Sequence, residues 1–191
     1  MKKKISMILM MVVVLSLSTL TVFADDNSDE NLIKVLELVE ETNEKIDELI
    51  TKAVDKADDE MDEYLEELDE LALDKVMLES ELNYYQEKLK SYDVNSNDNK
   101  KVKKEIRTIK KIINALNEEI NEIDEEMNAL NNEMNMEIQK IIDKLIDETN
   151  QCSADTRAEA AELGYTVICE WVEVEIADRM ILVDPLRVLG R

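Results

Sequence analysis

An uninterrupted heptad pattern between residues 102 and 134 constrains the fold of this chain more than any other feature. This spacing, in which steps of four and three alternate, is typical of a coiled-coil seam. Its members are Val102, Ile106, Ile109, Ile113, Leu116, Ile120, Ile123, Met127, Leu130 and Met134. After one extra step of four, Ile138, Ile141 and Leu145 continue the stripe. We therefore predict a helix that persists to about Asn150.

A second heptad segment precedes this one and predicts an earlier helix of similar length that begins near Ser28. Its seam is Leu32, Leu36, Val39, Ile46, Ile50, Ala53 and Ala57, then Met61, Tyr64, Leu68, Leu71, Leu78, Leu82, Tyr85, Leu89 and Tyr92. Asn43 and Lys75 interrupt it, either as residues that restrict register or as polar residues tolerated at a wet edge. The polar run 91–99 predicts a turn. The expected fold is mostly α: a long antiparallel coiled-coil helical hairpin over 25–151. One continuous rod that dimerises in parallel is the alternative.

The composition excludes most enzyme classes. The 191 residues include 23 Lys or Arg, 46 Asp or Glu and no His, which gives a net charge of −23. Without an imidazole there is no Ser-His-Asp or Cys-His relay and no His-ligated zinc. Nearly all of the negative charge lies in the helical segment, and it opposes binding to nucleic acid or to anionic headgroups. We predict no catalytic residue, no cofactor and no metal site.

One calcium-like motif in the predicted turn fails on inspection. Alternate residues Asp93, Asn95, Asn97 and Asn99 resemble calcium-loop ligands. However, Asp98 stands where the loop requires Gly, and Lys104 stands where it requires a bidentate Glu. No specific calcium site is expected there.

Residues 1–24 predict a secretory signal peptide. Three lysines precede an apolar stretch from Ile5 to Phe23, and Val22 and Ala24 occupy the positions before the cleavage point. An uncleaved membrane anchor is the alternative. We expect a secreted or extracytoplasmic bacterial protein that has no membrane contact once the signal is removed.

The composition changes at about residue 151, and residues 152–191 predict a small α+β module. Ser153 as an N-cap and Gly164 as a C′ glycine bracket a short helix. Tyr165–Ile176 and Met180–Val183 predict a β-hairpin that ends at Asp184-Pro185. The apolar alternation changes phase at Trp171-Val172. Either a bulge returns these residues to one core, or both faces are covered. A module this small is expected to pack on the helical base or on a second copy.

The two cysteines, Cys152 and Cys169, flank the predicted short helix. In an exported protein this position favours a disulfide between them. Reduced thiols and intermolecular pairing are the alternatives.

The same module combines aromatic, aliphatic and cationic side chains, a mixture that is enriched at protein interfaces. The candidate interaction residues are Trp171, Val172, Val174, Ile176, Arg179, Ile181 and Arg187. Beside Glu170 and Glu173, Trp171 also has the outline of a glycan site, but the favoured interpretation is a core tryptophan of a small module with acidic outer positions. The expected partner is another protein or a second copy of the chain.

A helical hairpin after a signal peptide resembles the amino-terminal coiled-coil regions of secreted Gram-positive cell-wall hydrolases, over residues 25–150 only. The resemblance implies cell-wall association and no activity, since the tail has neither the length nor the His of those catalytic domains. The leading hypothesis is a non-enzymatic spacer or protein-interaction module with contacts made by the β-unit. The alternatives are an accessory protein of cell-wall metabolism and an extracytoplasmic holdase chaperone. The holdase would expose apolar residues near the arm tips, where Tyr84, Tyr85, Leu89 and Tyr92 lie. An enzyme that uses carboxylates alone ranks last.

Overall fold

The computed structural model describes residues 30–92 and 100–190. Three predictions lie outside these ranges: the signal peptide at 1–24, the helix start near Ser28, and the part of the turn that carries the calcium-like residues 93–99.

The chain forms two long helices followed by a β-hairpin of four short strands. Helix α1 spans Glu30–Lys90 and helix α2 spans Lys100–Glu162. The strands are β1 (Thr166–Cys169), β2 (Val172–Ile176), β3 (Arg179–Val183) and β4 (Leu186–Gly190). At 1.5 Å per residue each helix is about 90 Å long. The prediction of two long helices and a small C-terminal β-hairpin is confirmed.

The two helices pack against each other with early α1 beside late α2, as in an antiparallel hairpin. At one end, the Thr42 and Thr156 hydroxyls lie 2.7 Å apart. Midway, the Lys75 amine donates to Asp124 at 2.5 Å, and near the turn the Tyr92 hydroxyl donates to Glu105 at 3.1 Å. Each predicted seam residue from Val102 to Met134 is buried or half-buried. The apolar stripe therefore faces α1, as its spacing predicts.

Helix α2 continues through the predicted boundary at 151–152, so the separate short helix is wrong. Ser153 is buried within α2 and is not an N-cap, and its hydroxyl donates to the carbonyl oxygen of Asp184 at 2.8 Å. The predicted helix end is confirmed at Gly164, which has a φ of +87°. The Gly164 N–H donates to Ala161 and the Tyr165 N–H to Ala160, at 3.0 and 2.9 Å. These two bonds form a Schellman motif.

The four strands form one antiparallel ribbon with a gap in its middle and a register shift between Thr166 and Val167. Strand β2 pairs with β3 around the two-residue turn Ala177-Asp178, and β1 pairs with β4 outside them. The register is the same on both sides of the gap, since Cys169 faces Leu186 and Val172 faces Val183. In the gap the Glu170 N–H donates to Pro185 at 2.8 Å, but Pro185 has no N–H to return. The ladder is interrupted there for this reason.

The predicted single strand over 165–176 is therefore two strands, and β4 was not predicted. The change of phase at Trp171-Val172 coincides with the gap. There, on both sides of the ribbon, the inward side chains change from one alternating set to the other. Val167 and Cys169 point inward before the gap, and Val174 and Ile176 point inward after it. No bulge occurs at Trp171-Val172, since the register is unchanged there, and the inward residues pack into two separate clusters, with Val167 in one and Ile176 in the other. The second alternative, in which both faces are covered, is the one observed. Trp171 does not share the inward face of Val167, because it lies in the gap and is 62% exposed.

The fully buried residues concentrate at the base, where the hairpin lies on both helices. The first cluster joins the three elements: Ile46, Ala53 and Ala57 of α1, Ile138, Ile141, Ile142 and Leu145 of α2, and Ile176 and Val183 of the ribbon. The second consists of Val35, Val39, Ala160, Tyr165, Val167 and Leu186. Beyond the base, the helices alone form an arm with few fully buried side chains. The small module thus packs on the helical base.

The predicted disulfide between Cys152 and Cys169 is wrong, since both thiols are free. Continuation of α2 places Cys152 against the first cluster, whereas Cys169 packs against the second. The prediction depended on a separate short helix bringing its two ends together, and that helix does not exist.

Candidate interaction surface

The ribbon has an inner face against the helices and an outer face in solvent. Five large apolar side chains of the ribbon are exposed to solvent, with 37–67% of each accessible: Ile168, Trp171, Met180, Leu182 and Leu189. The β-strand alternation that buries one set of residues necessarily exposes the other. We call these five residues the outer apolar face.

Exposed acidic side chains and exposed apolar side chains lie on different strands of this surface. On the β2 side, Glu173 and Glu175 are exposed and stand opposite Leu182 and Met180 of β3. Strand β3 itself contains no acidic residue. Its exposed apolar side chains, Met180 and Leu182, therefore lie beside the two carboxylates of β2.

Most of the predicted aliphatic contact residues belong to the core. Ile176 is fully buried, and Val174 and Ile181 pack against the first cluster. Val172 is half-buried. Ile176, Val174 and Ile181 thus hold the ribbon on the helices. Trp171 is the predicted aromatic residue that stays accessible.

The two predicted arginines differ in role. The Arg179 guanidinium donates to the side-chain oxygens of Gln139 and Asn135, at 3.0 and 2.7 Å, and thereby ties the hairpin turn to α2. Arg187 lies 3.8 Å from Glu170, and both side chains are 62% exposed. Arg187 therefore remains available at the surface, whereas Arg179 is occupied within the chain.

Asn43 has a function that sequence reasoning did not find. Its amide nitrogen donates to the Leu186 carbonyl at 3.0 Å, and its oxygen accepts from the Leu186 N–H at 2.7 Å. In an antiparallel ladder, hydrogen-bonded pairs alternate with pairs that are not hydrogen-bonded. Glu170 and Pro185 are a hydrogen-bonded pair, so the N–H and C=O of the next residue, Leu186, point away from β1. Asn43 therefore supplies to the free edge of β4 the bonds that a further strand would supply.

A buried carboxylate lies where the ribbon meets α2. Asp184 is 7% exposed, and its Oδ1 atom has no hydrogen-bond partner within the described residues. Burial raises the pKa of Asp184, against the opposing effects of the Cys169 thiol and the Arg157 guanidinium. Burial also raises the pKa of the Cys169 thiol, to which the Asp184 charge adds. A thiol shifted in this direction is a poor nucleophile at neutral pH.

A second exposed apolar surface lies on the arm, on the side of α1 away from α2. Leu73, Val76, Met77 and Tyr84 are 59–63% exposed and follow a helical spacing that includes Ser80. We call these five residues the α1 stripe. Sequence reasoning missed it because its members fall between seam positions. The holdase hypothesis predicts that Tyr84, Tyr85 and Leu89 are exposed near the arm tip. Tyr84 is exposed, but Tyr85 and Leu89 are half-buried.

Over residues 30–92 and 100–190, no three Cys, Asp or Glu side chains converge in a way that would hold a metal ion. No helix in these ranges is both long and apolar enough to cross a membrane. Comparison with protein-family models, with curated proteins and with solved structures gives no match. Function is therefore inferred from the residues of this chain alone.

Proposed function

We propose that this is an exported, non-enzymatic interaction protein in which a coiled-coil arm spaces the base and the outer apolar face contacts another protein chain. One observation carries the proposal: five large apolar side chains stand exposed on a ribbon that is itself anchored by a core. Exposed apolar groups gathered on one surface mark sites of protein contact. Trp171 and Arg187 add the two residue types most enriched among energetic hot spots.

The anchoring supports this function because a contact surface binds more tightly when it is held in place before binding. Ile176 and Val183 fix one end of the ribbon in the first cluster, and Leu186 fixes the other end in the second. Arg179 and Asn43 add hydrogen bonds to each helix. Export and cell-wall association complete the proposal, and they depend on residues 1–24 and on the family resemblance.

Site-specific photo-crosslinking in the producing cells tests the proposal. A benzoylphenylalanine at position 171 or 189 should crosslink to a protein, with the product identified by mass spectrometry. The same probe at Met136, which is 61% exposed on the arm, is the matched control and should give little product. Crosslinking from position 136 but not from 171 or 189 would contradict the proposal.

The α1 stripe supports a second candidate function, a holdase chaperone that binds unfolded chains along its arm. Exposed apolar residues at helical spacing fit amphipathic segments, and nearby Asp69, Asp74 and Glu81 favour clients that carry Lys or Arg. The full chain should then suppress aggregation of a chemically denatured, basic client protein. Replacing Leu73 and Met77 by Gln should remove most of the suppression, whereas Met136→Gln should not. A chain that does not suppress aggregation would eliminate this candidate.

A further inference from the structure

The edge of β3 is open, and its hydrogen-bonding groups can be assigned from the register. Ile176 and Arg179 flank a two-residue turn and form a hydrogen-bonded pair, as do Val174 with Ile181. Met180 and Leu182 therefore direct their N–H and C=O groups to the other side, away from β2. Within the described residues the sheet that contains β3 has only two strands, so no strand covers these groups.

The β4 and β2 edges of the ribbon each carry a feature that opposes further strand pairing. Asn43 covers Leu186 on the β4 edge. The β2 edge carries Glu173 and Glu175, and like charges placed side by side oppose strand pairing. Strand β3 has neither device, because the segment Met180–Val183 contains no charged residue and no Pro. Natural proteins rarely leave such an edge bare unless it is paired.

We infer that the β3 edge pairs in antiparallel fashion with β3 of a second copy of this chain, about a twofold axis at Ile181. This inference rests on the proposed function and names the partner of the ribbon. A twofold axis at Ile181 places Met180 opposite Leu182 of the second copy, and Leu182 opposite its Met180. These are the two residues whose backbone groups point to the free edge, so both pairs can exchange two hydrogen bonds.

The side chains fit the same arrangement. Met180 and Leu182 are 61% and 51% exposed on the outer apolar face, and pairing brings them beside their counterparts across the junction. The acidic residues Glu173 and Glu175 then lie at the two outer margins of a four-stranded sheet. A closed twofold contact also pairs the β3 edges of both copies at once.

Proline substitutions can test the β3 edge and the β2 edge separately. Leu182→Pro removes an N–H that points to the β3 edge, whereas Glu173→Pro, at the register partner, removes one that points to the β2 edge. Both positions spare the bonds between β2 and β3. In sedimentation equilibrium over a concentration series, Leu182→Pro should weaken the dimer about tenfold or more, because twofold symmetry removes two hydrogen bonds at once. Glu173→Pro should leave it unchanged.

Two separate lysine variants provide a second test if a proline variant does not fold. Leu182→Lys places like charges at the junction and should abolish the dimer, whereas Leu189→Lys makes the same change on the outer face away from it. In hydrogen exchange of the parent chain, the Met180 and Leu182 amides should be protected at high concentration and exposed on dilution. A monomeric parent chain, or a dimer insensitive to both Leu182 changes, would overturn the inference. If crosslinks to another protein from position 171 persisted in that case, the proposed function would still stand.

Discussion

At the scale of single residues, the polar interruptions of the heptad pattern make specific tertiary contacts. Asn43 bonds to both backbone groups of Leu186, and Lys75 pairs with Asp124 on the opposite helix. The hydrogen bond to Asp124 raises the pKa of the Lys75 amine. Both residues therefore help to align one element against another: Lys75 aligns α1 with α2, and Asn43 aligns α1 with β4.

Asn43→Ala should destabilise the protein by about 2 to 4 kcal/mol, because it leaves a buried N–H and a buried C=O of Leu186 without partners. Urea unfolding followed by circular dichroism measures the change. Asn117→Ala is the control, since Asn117 is exposed and bonds only within its own helix. Equal midpoints for the Asn43 variant and the parent would show that these two bonds contribute nothing.

The hairpin turn contains a strained residue. Ala177 and Asp178 have φ values of 46° and 63°, as a type I′ turn requires. A left-handed conformation costs an alanine about 1 to 2 kcal/mol. Ala177→Gly should therefore raise stability by about 0.5 to 1 kcal/mol. Ala154→Gly, at an exposed position inside α2, should lower it by a similar amount. Thermal melting of the two variants tests whether the signs are opposite.

Asp184 should make stability depend on pH in an identifiable way. Because burial raises its pKa above the ordinary 3.8, the carboxyl contributes most in acid solution, below the unfolded pKa. That contribution is lost as the pH rises through the folded pKa. Asp184→Asn stays neutral, so its melting temperature relative to the parent should increase between pH 4 and pH 7. Glu173→Gln removes one exposed negative charge and is the matched control. A difference that shrinks with pH would contradict the assigned shift.

At the scale of elements, α2 extends beyond the end that its apolar pattern predicts, at about Asn150. Its last turns bury small polar residues instead of apolar ones. Thr149, Ser153 and Thr156 are buried at spacings of four and three, continuing the stripe from Leu145. The Thr149 hydroxyl donates to Leu145 of its own helix, and Ser153 donates to Asp184. Bonds of this kind let hydroxyl residues occupy core positions next to the ribbon.

The buried pair Thr42 and Thr156 permits a double-mutant cycle. Thr42→Val or Thr156→Val alone should each cost about 1 to 3 kcal/mol, since each leaves the other hydroxyl buried without its partner. The double variant should cost less than the sum and lie close to the parent, because both polar groups are gone. Additive losses in urea unfolding would mean that the two hydroxyls do not interact.

At the scale of the whole molecule, charge is distributed unevenly along the arm. Although the net charge is −23, residues 100–111 contain seven basic residues and one acidic residue. Exposed lysines and arginine occupy the side of α2 away from its seam there: Lys100, Lys103, Lys104, Arg107, Lys110 and Lys111. Acidic residues thus dominate the exposed positions in the middle of the arm, whereas basic residues dominate the start of α2.

Repulsion in the acidic middle should make stability increase with salt. Raising NaCl from 10 mM to 1 M shortens the Debye length from about 30 to 3 Å, so the melting temperature should rise. Replacing Glu118, Glu122 and Glu126 by Gln removes three like charges spaced four apart on α2. This variant should melt higher than the parent in 10 mM NaCl and respond less to added salt. A parent chain whose melting temperature falls with salt would show that attraction outweighs repulsion.

The sequence by itself predicted the two long helices. The seam residues from Val102 to Met134 are all buried or half-buried, as their spacing predicts. The helix stop at Gly164 was also readable, because glycine is the residue that most readily adopts the left-handed conformation at a helix end.

Only the tertiary structure decided how the tail is used. The separate short helix, the helix cap at Ser153 and the disulfide were wrong for one reason. Ser153, Thr156 and Asn43 look polar and local in sequence, but each finds its partner on an element far along the chain. Whether a hydroxyl or an amide caps a helix or fills a core depends on what lies opposite it, and local spacing carries no information about that. Once the ribbon lies on the base, its inner aliphatic residues become core, and the outer apolar face is what remains for a partner.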